Sequence, residues 1–186
     1  TSLAQLSDAD YADLEPFQWG GSKPLAARFS HADGKARIVP IAAPAVTPSN
    51  AGFALRLNTG RYRDQWHTMT RTGLSATLSQ HRPEALLEIH PGDAARHGLV
   101  DGALARVGTA AGSAVFRVAI CAGQRPGDLF VPMHWTDVMA GEARANRLAL
   151  SEVDPVSGQP AFKDTPANVA PVRPKWRAFL ICRVAP

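Results

Sequence analysis

From Phe53 onward the chain is a succession of short apolar runs, each cut off by glycine, proline or aspartate, and few architectures accept such a pattern. Phe53, Leu55 and Leu57 alternate with Ala54, Arg56 and Asn58, the two-residue period of a strand with one buried face, and Thr59-Gly60 ends it. Ala85–Ile89 reads as a second strand, after which Pro91-Gly92-Asp93 opens one or two helical turns that Gly98 stops. Asp101-Gly102 turns the chain into Ala103–Val107. Gly112 separates that strand from Ala114–Ile120, and Arg125-Pro126-Gly127-Asp128 leads into Leu129–Pro132. Strands this short and closely spaced argue for a small barrel. The expectation is a mainly β protein, with a closed barrel of six or seven strands over residues 51–172 and a few short helices near 93–97 and 137–145.

Residues 1–50 read differently. Ser7-Asp8-Ala9-Asp10-Tyr11 can cap and start a short helix, because Ser and Asp side chains accept from first-turn amides. Pro16, Pro24, Pro40, Pro44 and Pro48 leave no room for a long element. Between them, His31-Ala32-Asp33-Gly34 reads as a turn and Lys35–Val39 as a short strand. The organisation expected is an irregular N-terminal arm or linker from a preceding domain over 1–50, the barrel over 51–172 and a C-terminal tail over 173–186.

Composition excludes more than it assigns. The 186 residues suffice for one domain with an attached arm. Cys121 and Cys182 stand 61 positions apart, so no C-x-x-C metal or redox motif and no disulfide framework can be built from them. Cys121 reads as a core residue of its strand and Cys182 as inert. No run approaches the ~20 apolar residues of a membrane span. No basic segment followed by an apolar run marks secretion, and the absence of an initiator Met is expected of an excerpt from a longer chain. The net charge of +4 is carried by 16 arginines and 4 lysines. Arginine forks bind phosphate bidentately, so an anionic ligand is one reading, and a compositional bias toward Arg and Ala is the other.

The densest polar cluster, Asn58–Gly73, follows a strand and sets Arg61, Arg63 and Arg71 against the single acid Asp64. Gly60 lets a backbone approach a phosphate, and Thr59, Thr68, Thr70 and Thr72 supply hydroxyl donors. It reads either as a ligand loop or as a polar surface loop anchored by a buried Trp66. A second cluster, Val131–Asp137, carries His134, which is open to an acid–base or metal-ligand role, although a lone histidine is more often a structural one held by hydrogen bonds. His31, His81, His90 and His97 have no partner at ligand spacing. In the third, Asn146-Arg147-Leu148 precedes the turns of Asp154–Lys163. No H-x-x-x-H, G-x-S-x-G or Walker pattern occurs.

Taken in order, these clusters form a wider pattern. Asn58-Thr59-Gly60-Arg61 and Trp66-His67-Thr68 come first, then Pro91–Gly102 (Pro-Gly-Asp-Ala-Ala-Arg-His-Gly-Leu-Val-Asp-Gly). Arg125–Trp135 (Arg-Pro-Gly-Asp-Leu-Phe-Val-Pro-Met-His-Trp) follows, and last come Asn146 and Asp154-Pro155 through Phe162-Lys163. The series closely resembles the C-terminal molybdopterin-dinucleotide-binding domain of molybdenum oxidoreductases of the dimethyl-sulfoxide-reductase type. The wording of Trp66–Gly73 and Pro132–Asp137 is most similar to the bacterial assimilatory nitrate reductases. The resemblance covers about residues 50–172 and, more weakly, Asp33–Arg37.

The resemblance implies a double-psi β-barrel that closes over a bis(molybdopterin guanine dinucleotide) molybdenum cofactor shared with other domains. It places cofactor contacts at Thr59, Gly60, Arg61, Trp66, His67, Thr68, Asn146 and Lys163, and the substrate channel at Met133 and His134. It implies no catalytic residue and no metal ligand in this segment, and a [4Fe-4S] cluster only in an N-terminal part that lies elsewhere. The partners implied are the rest of the reductase chain and an electron-donor protein or domain, with no nucleic acid and no membrane span, in the cytoplasm. The full enzyme would reduce nitrate to nitrite by oxygen-atom transfer, and this chain alone would not turn over. A formate dehydrogenase or another molybdopterin oxidoreductase shares the same domain. A non-enzymatic basic barrel that binds nucleic acid is the alternative of another class, weakened by the low net charge and an aromatic content of 7%.

Overall fold

Six strands, most of them alternating buried and less buried residues, close on one another: β1 (Leu55–Gly60), β2 (Leu86–Ile89), β3 (Leu104–Gly108), β4 (Ser113–Ile120), β5 (Asp128–Pro132) and β6 (Thr165–Val172). The computed structural model describes residues 7, 12–16, 29, 31–40, 52–155 and 157–178. The expected helix start at 8–11 and Cys182 lie outside them. The chain divides into two units, one within 1–44 and one within 45–186.

The barrel runs β1-β5-β2-β4-β3-β6 and back to β1. β1 lies parallel to β5, with Gly60 opposite Pro132, and β2 lies parallel to β4. The other four pairings are antiparallel. Two parallel pairs joined by antiparallel ones close a six-stranded barrel of mixed pairing, as the expected fold requires. Leu57, Leu87, Ile89, Ala105, Val107, Phe116, Val118, Leu129, Val131 and Ala167 fill its interior and are at most 2% exposed. Closure removes the unpaired edges that such short strands would otherwise present.

Local chemistry sets the connections. In α1 (Ala76–Ser79) a single turn continues the 3-10 turn Thr72–Leu74, and neither was foreseen in the polar cluster. α2 (Pro91–Arg96) starts with Pro91 in its first turn, where a missing amide costs nothing, and the His90 side chain accepts from Gly92 N at 3.1 Å. Gly98, at φ 62°, ends it. Asp93 is fully buried, and its Oδ2 accepts from Gly127 N at 2.7 Å, tying α2 to the turn before β5. No helix among the described residues is long and apolar enough to cross a membrane.

Three expectations need correction. Residues 137–145 do not form a helix. Met139 N and Ala140 N both bond to Thr136 O in one turn, after which Val115 N takes the Glu142 carbonyl and draws the chain along β4. Only Ala145–Leu148 then winds into a 3-10 turn. Lys35–Val39 is not a strand: no segment among the described residues pairs with it, and Ile38 is 91% exposed. The turn before it does form, with Gly34 N bonded to His31 O at 2.8 Å. Cys121 lies just past β4 and is half-buried rather than in the core.

Candidate functional site

The parallel pairing of β1 and β5 brings the ends of these two strands side by side, and the polar segments Thr59–Thr72 and Met133–Arg147 leave from there. Met133 N donates to Gly60 O at 2.9 Å, extending the contact past both strands. On β1, Thr59 is buried, and both its amide (3.2 Å) and its Oγ1 (3.0 Å) donate to Phe162 O. Asp164 N donates to Asn58 Oδ1 at 3.1 Å. These bonds lay residues 162–164 along β1, and there Lys163 Nζ donates to Thr59 O. Gly60 sits where a side chain would not fit, since a Cβ would come within 2.7 Å of Phe130 Cε2 and 3.9 Å of Lys163 Nζ. Thr59, Gly60 and Lys163 thus form one group.

The excursion after β1 turns at once. Tyr62 and Gln65 face the core, and the buried Gln65 Oε1 accepts from Thr72 Oγ1 at 2.5 Å. Arg61, Trp66, His67 and Thr68 are exposed. Trp66, expected to anchor the loop by burial, is 53% exposed instead, because the turn commits Tyr62 and Gln65 inward and leaves the next side chain outside. The Arg61 guanidinium lies 5.7 Å from the Trp66 ring centre, and His67 meets that ring edge-on at 4.5 Å. Arg63 forks onto Asp64 at 2.7 and 2.9 Å, and this hydrogen bond holds the Asp64 carboxyl below its usual range. His81 joins the same carboxylate at 2.9 Å.

Thr68, Met133 and Asn146 line one cleft of about 310 Å³, with Trp135, Thr136, Asp137, Arg144 and Arg147. Asn146 reaches it because the 3-10 turn is fixed at both ends. Ala145 and Leu148 are buried, and Thr109 Oγ1 donates to Leu148 O at 3.0 Å, so the two residues between face outward. Arg147 pairs with Glu142 at 2.7 Å and Arg144 with Asp137 at 3.4 Å. Arg144 Nε is buried and has no hydrogen-bond partner among the described residues, an unmet donor beside the cleft. Arg144 was not singled out from the sequence, since 137–145 read as a helix, and Arg147 was named only as part of the Asn146-Arg147-Leu148 cluster. Arg61, Trp66 and Lys163 do not line this cleft.

His134, expected beside Met133 in a substrate channel, is fully buried, and both ring nitrogens are taken. Nε2 accepts from Tyr62 N at 2.9 Å, and Nδ1 faces the His67 carbonyl at 2.5 Å. Burial, reinforced by the charges of Arg61 and His67, lowers its pKa. Met133 itself is 36% exposed. No group of three or more His, Cys, Asp or Glu among the described residues could hold a metal ion.

Comparison with known proteins follows the same lines. Residues 55–166 match the family described as Molydopterin dinucleotide binding domain. A nitrate reductase of Klebsiella oxytoca is 46% identical over 97% of this chain, which covers 22% of that protein. The assimilatory nitrate reductase catalytic subunit of Bacillus subtilis is 31% identical over 77% of the chain, covering 20% of that protein. The chain therefore spans about a fifth of the length of these relatives. Among solved structures, acetylene hydratase from Pelobacter acetylenicus superposes with a TM-score of 0.57 at 18% identity, over 64% of this chain and 18% of that one, a likeness of fold alone.

Proposed function

Since the chain belongs to the molybdopterin dinucleotide binding domain family, we propose that it serves as the cofactor-capping domain of a molybdenum-dependent nitrate reductase. The observation that carries the cofactor reading is the single cleft in which Thr68, Met133 and Asn146 meet beside the unmet Arg144 Nε. A dinucleotide offers phosphate oxygens and a polar pterin, and this cleft offers hydroxyls, an amide and two guanidinium groups. The residues fit the group.

In this reading Thr68, Asn146 and the flanking arginines hold polar parts of the dinucleotide. Thr59, Gly60 and Lys163 form a second contact, with Gly60 keeping the β1 end open and Lys163 supplying positive charge. Arg61, Trp66 and His67 present a cation, a ring face and an imidazole from the loop between them. Met133 stands on the rim as the channel residue. These groups bind and orient, while the molybdenum of the bis(molybdopterin guanine dinucleotide) supplies the two-electron, oxygen-atom-transfer chemistry. The other domains of the reductase chain hold the rest of the cofactor and the [4Fe-4S] cluster, and an electron-donor protein or domain feeds them in the cytoplasm. Nitrate as substrate follows from the relationship to nitrate reductases over nearly the whole chain.

The test is to purify the full-length protein and assay it with nitrate under a reducing dye and with formate under an oxidising one. Nitrite formation with no formate oxidation is expected, with no turnover from the 186-residue chain alone. Formate oxidation without nitrate reduction would reassign the substrate and leave the cofactor role intact.

A further inference from the structure

We propose that His134 is the positioning residue that sets the conformation of the 61–69 loop through main-chain groups alone, leaving the loop's exposed side chains for the ligand. The inference rests on the reading of that loop as a cofactor contact. Its two bonds reach the two ends of one short stretch, the Tyr62 amide at 2.9 Å and the His67 carbonyl at 2.5 Å. An amide only donates and a carbonyl only accepts, so both are satisfied only by a neutral imidazole with its proton on Nδ1.

The loop needs such a clasp. His67 at φ 38° and Met69 at φ 62° occupy the left-handed region, which residues other than glycine hold only when their surroundings impose it. The ring is firmly mounted: the amide of the preceding Met133 is bonded to Gly60 O, and the following Trp135 is buried, its ring 6.3 Å from the imidazole. β5 therefore fixes the imidazole, and the imidazole fixes the loop. The second clasp, from Thr72 to Gln65, touches neither Tyr62 N nor His67 O and cannot replace it. Arg61, Trp66, His67 and Thr68 take no part with their side chains and remain exposed.

The full-length enzyme supplies the test. His134→Phe removes both bonds at similar bulk, whereas His134→Gln keeps one acceptor and one donor. Two readouts are taken below the unfolding temperature: the rate of tryptic cleavage at Arg61, Arg63 and Arg71, and molybdenum per polypeptide. His134→Phe should be cleaved about tenfold faster or more, since losing a buried hydrogen bond shifts local opening by that order, and should hold several-fold less molybdenum. His134→Gln should stay close to wild type in both. Unchanged cleavage in His134→Phe would overturn the inference. Faster cleavage with full molybdenum content would keep the clasp and overturn the reading of the loop as a cofactor contact. If His134→Phe does not accumulate, amide exchange decides. Tyr62 N–H should be protected in wild type and in His134→Gln, and exchange there at the open-chain rate would overturn the clasp.

Discussion

Lys163 reaches back 104 positions to donate from its ammonium to the Thr59 carbonyl, on the strand whose next residue, Gly60, has no room for a side chain. The residue as a whole is exposed. Lys163→Met should therefore separate two roles. The lost bond is worth about 0.5–1.5 kcal/mol of domain stability, whereas the lost charge should show as reduced molybdenum content in the full-length enzyme. Thermal unfolding and metal analysis on the same preparation check both. A stability loss with full metal content would make Lys163 a strap only.

Gly60→Ala should destabilise the barrel by about 1–3 kcal/mol, the usual cost of forcing a methyl into filled space. The new Cβ would meet Phe130 Cε2 at 2.7 Å and Cζ at 3.2 Å, and Phe130 packs against Tyr62 with ring centres 6.3 Å apart. Adding Phe130→Leu should recover part of the loss, a coupling that denaturant midpoints of the single and double variants measure. Additive losses would mean the ring moves aside freely.

Arg61→Ala should leave the stability of the domain within about 0.5 kcal/mol, because the guanidinium is exposed and its contact is with the half-exposed Trp66 ring. In the full-length enzyme the same change should lower cofactor retention, since a charge-assisted phosphate contact is worth roughly 1.5–3 kcal/mol. Equal cofactor content in the two enzymes would show that Arg61 faces away from the phosphates.

The strands that were legible were those whose alternation survives in the residues themselves, as at Leu55–Asn58, or whose apolar run is bounded by turn residues, as at Leu86–Ile89 and Ser113–Ile120. β6 was hidden because Pro166 and Pro171 argue against a strand that has neighbours on both sides. Both nevertheless sit in register with partners, opposite Arg56 and Ala105. Trp66 shows a different limit. A large ring favours burial, but the turn at Tyr62–Gln65 decides which side chains face the core, and that depends on His134 and Thr72, distant or unremarkable in sequence. Lys35–Val39 had the composition of a strand and has no neighbour to pair with among the described residues. Thr68 and Asn146 were visible as motif residues. That they share a cleft with Arg144 follows from the capping of the 3-10 turn by Thr109, which no local pattern announces.

The pH dependence of stability should carry the signature of His134. Its ring ordinarily titrates at 6.5, and in the folded protein that value is lowered, by burial first, with Arg61 and His67 adding repulsion, while the bond to the His67 carbonyl opposes the shift. The unfolded chain then binds a proton that the folded one refuses, so this contribution is fully present above pH 6.5 and is lost as pH falls toward the folded value. In that window the slope approaches about 1.4 kcal/mol per pH unit for one proton. Protonation would also turn Nε2 into a donor facing the Tyr62 amide, so the loop clasp opens with the same titration. His134→Gln removes the titrating group and keeps the two bonds. Stability measured by denaturant from pH 7.5 down to pH 5 should fall more steeply in wild type than in His134→Gln, the curves diverging only below pH 6.5. Parallel curves would mean that the buried ring accepts its proton without cost, and that its two bonds do not hold it neutral.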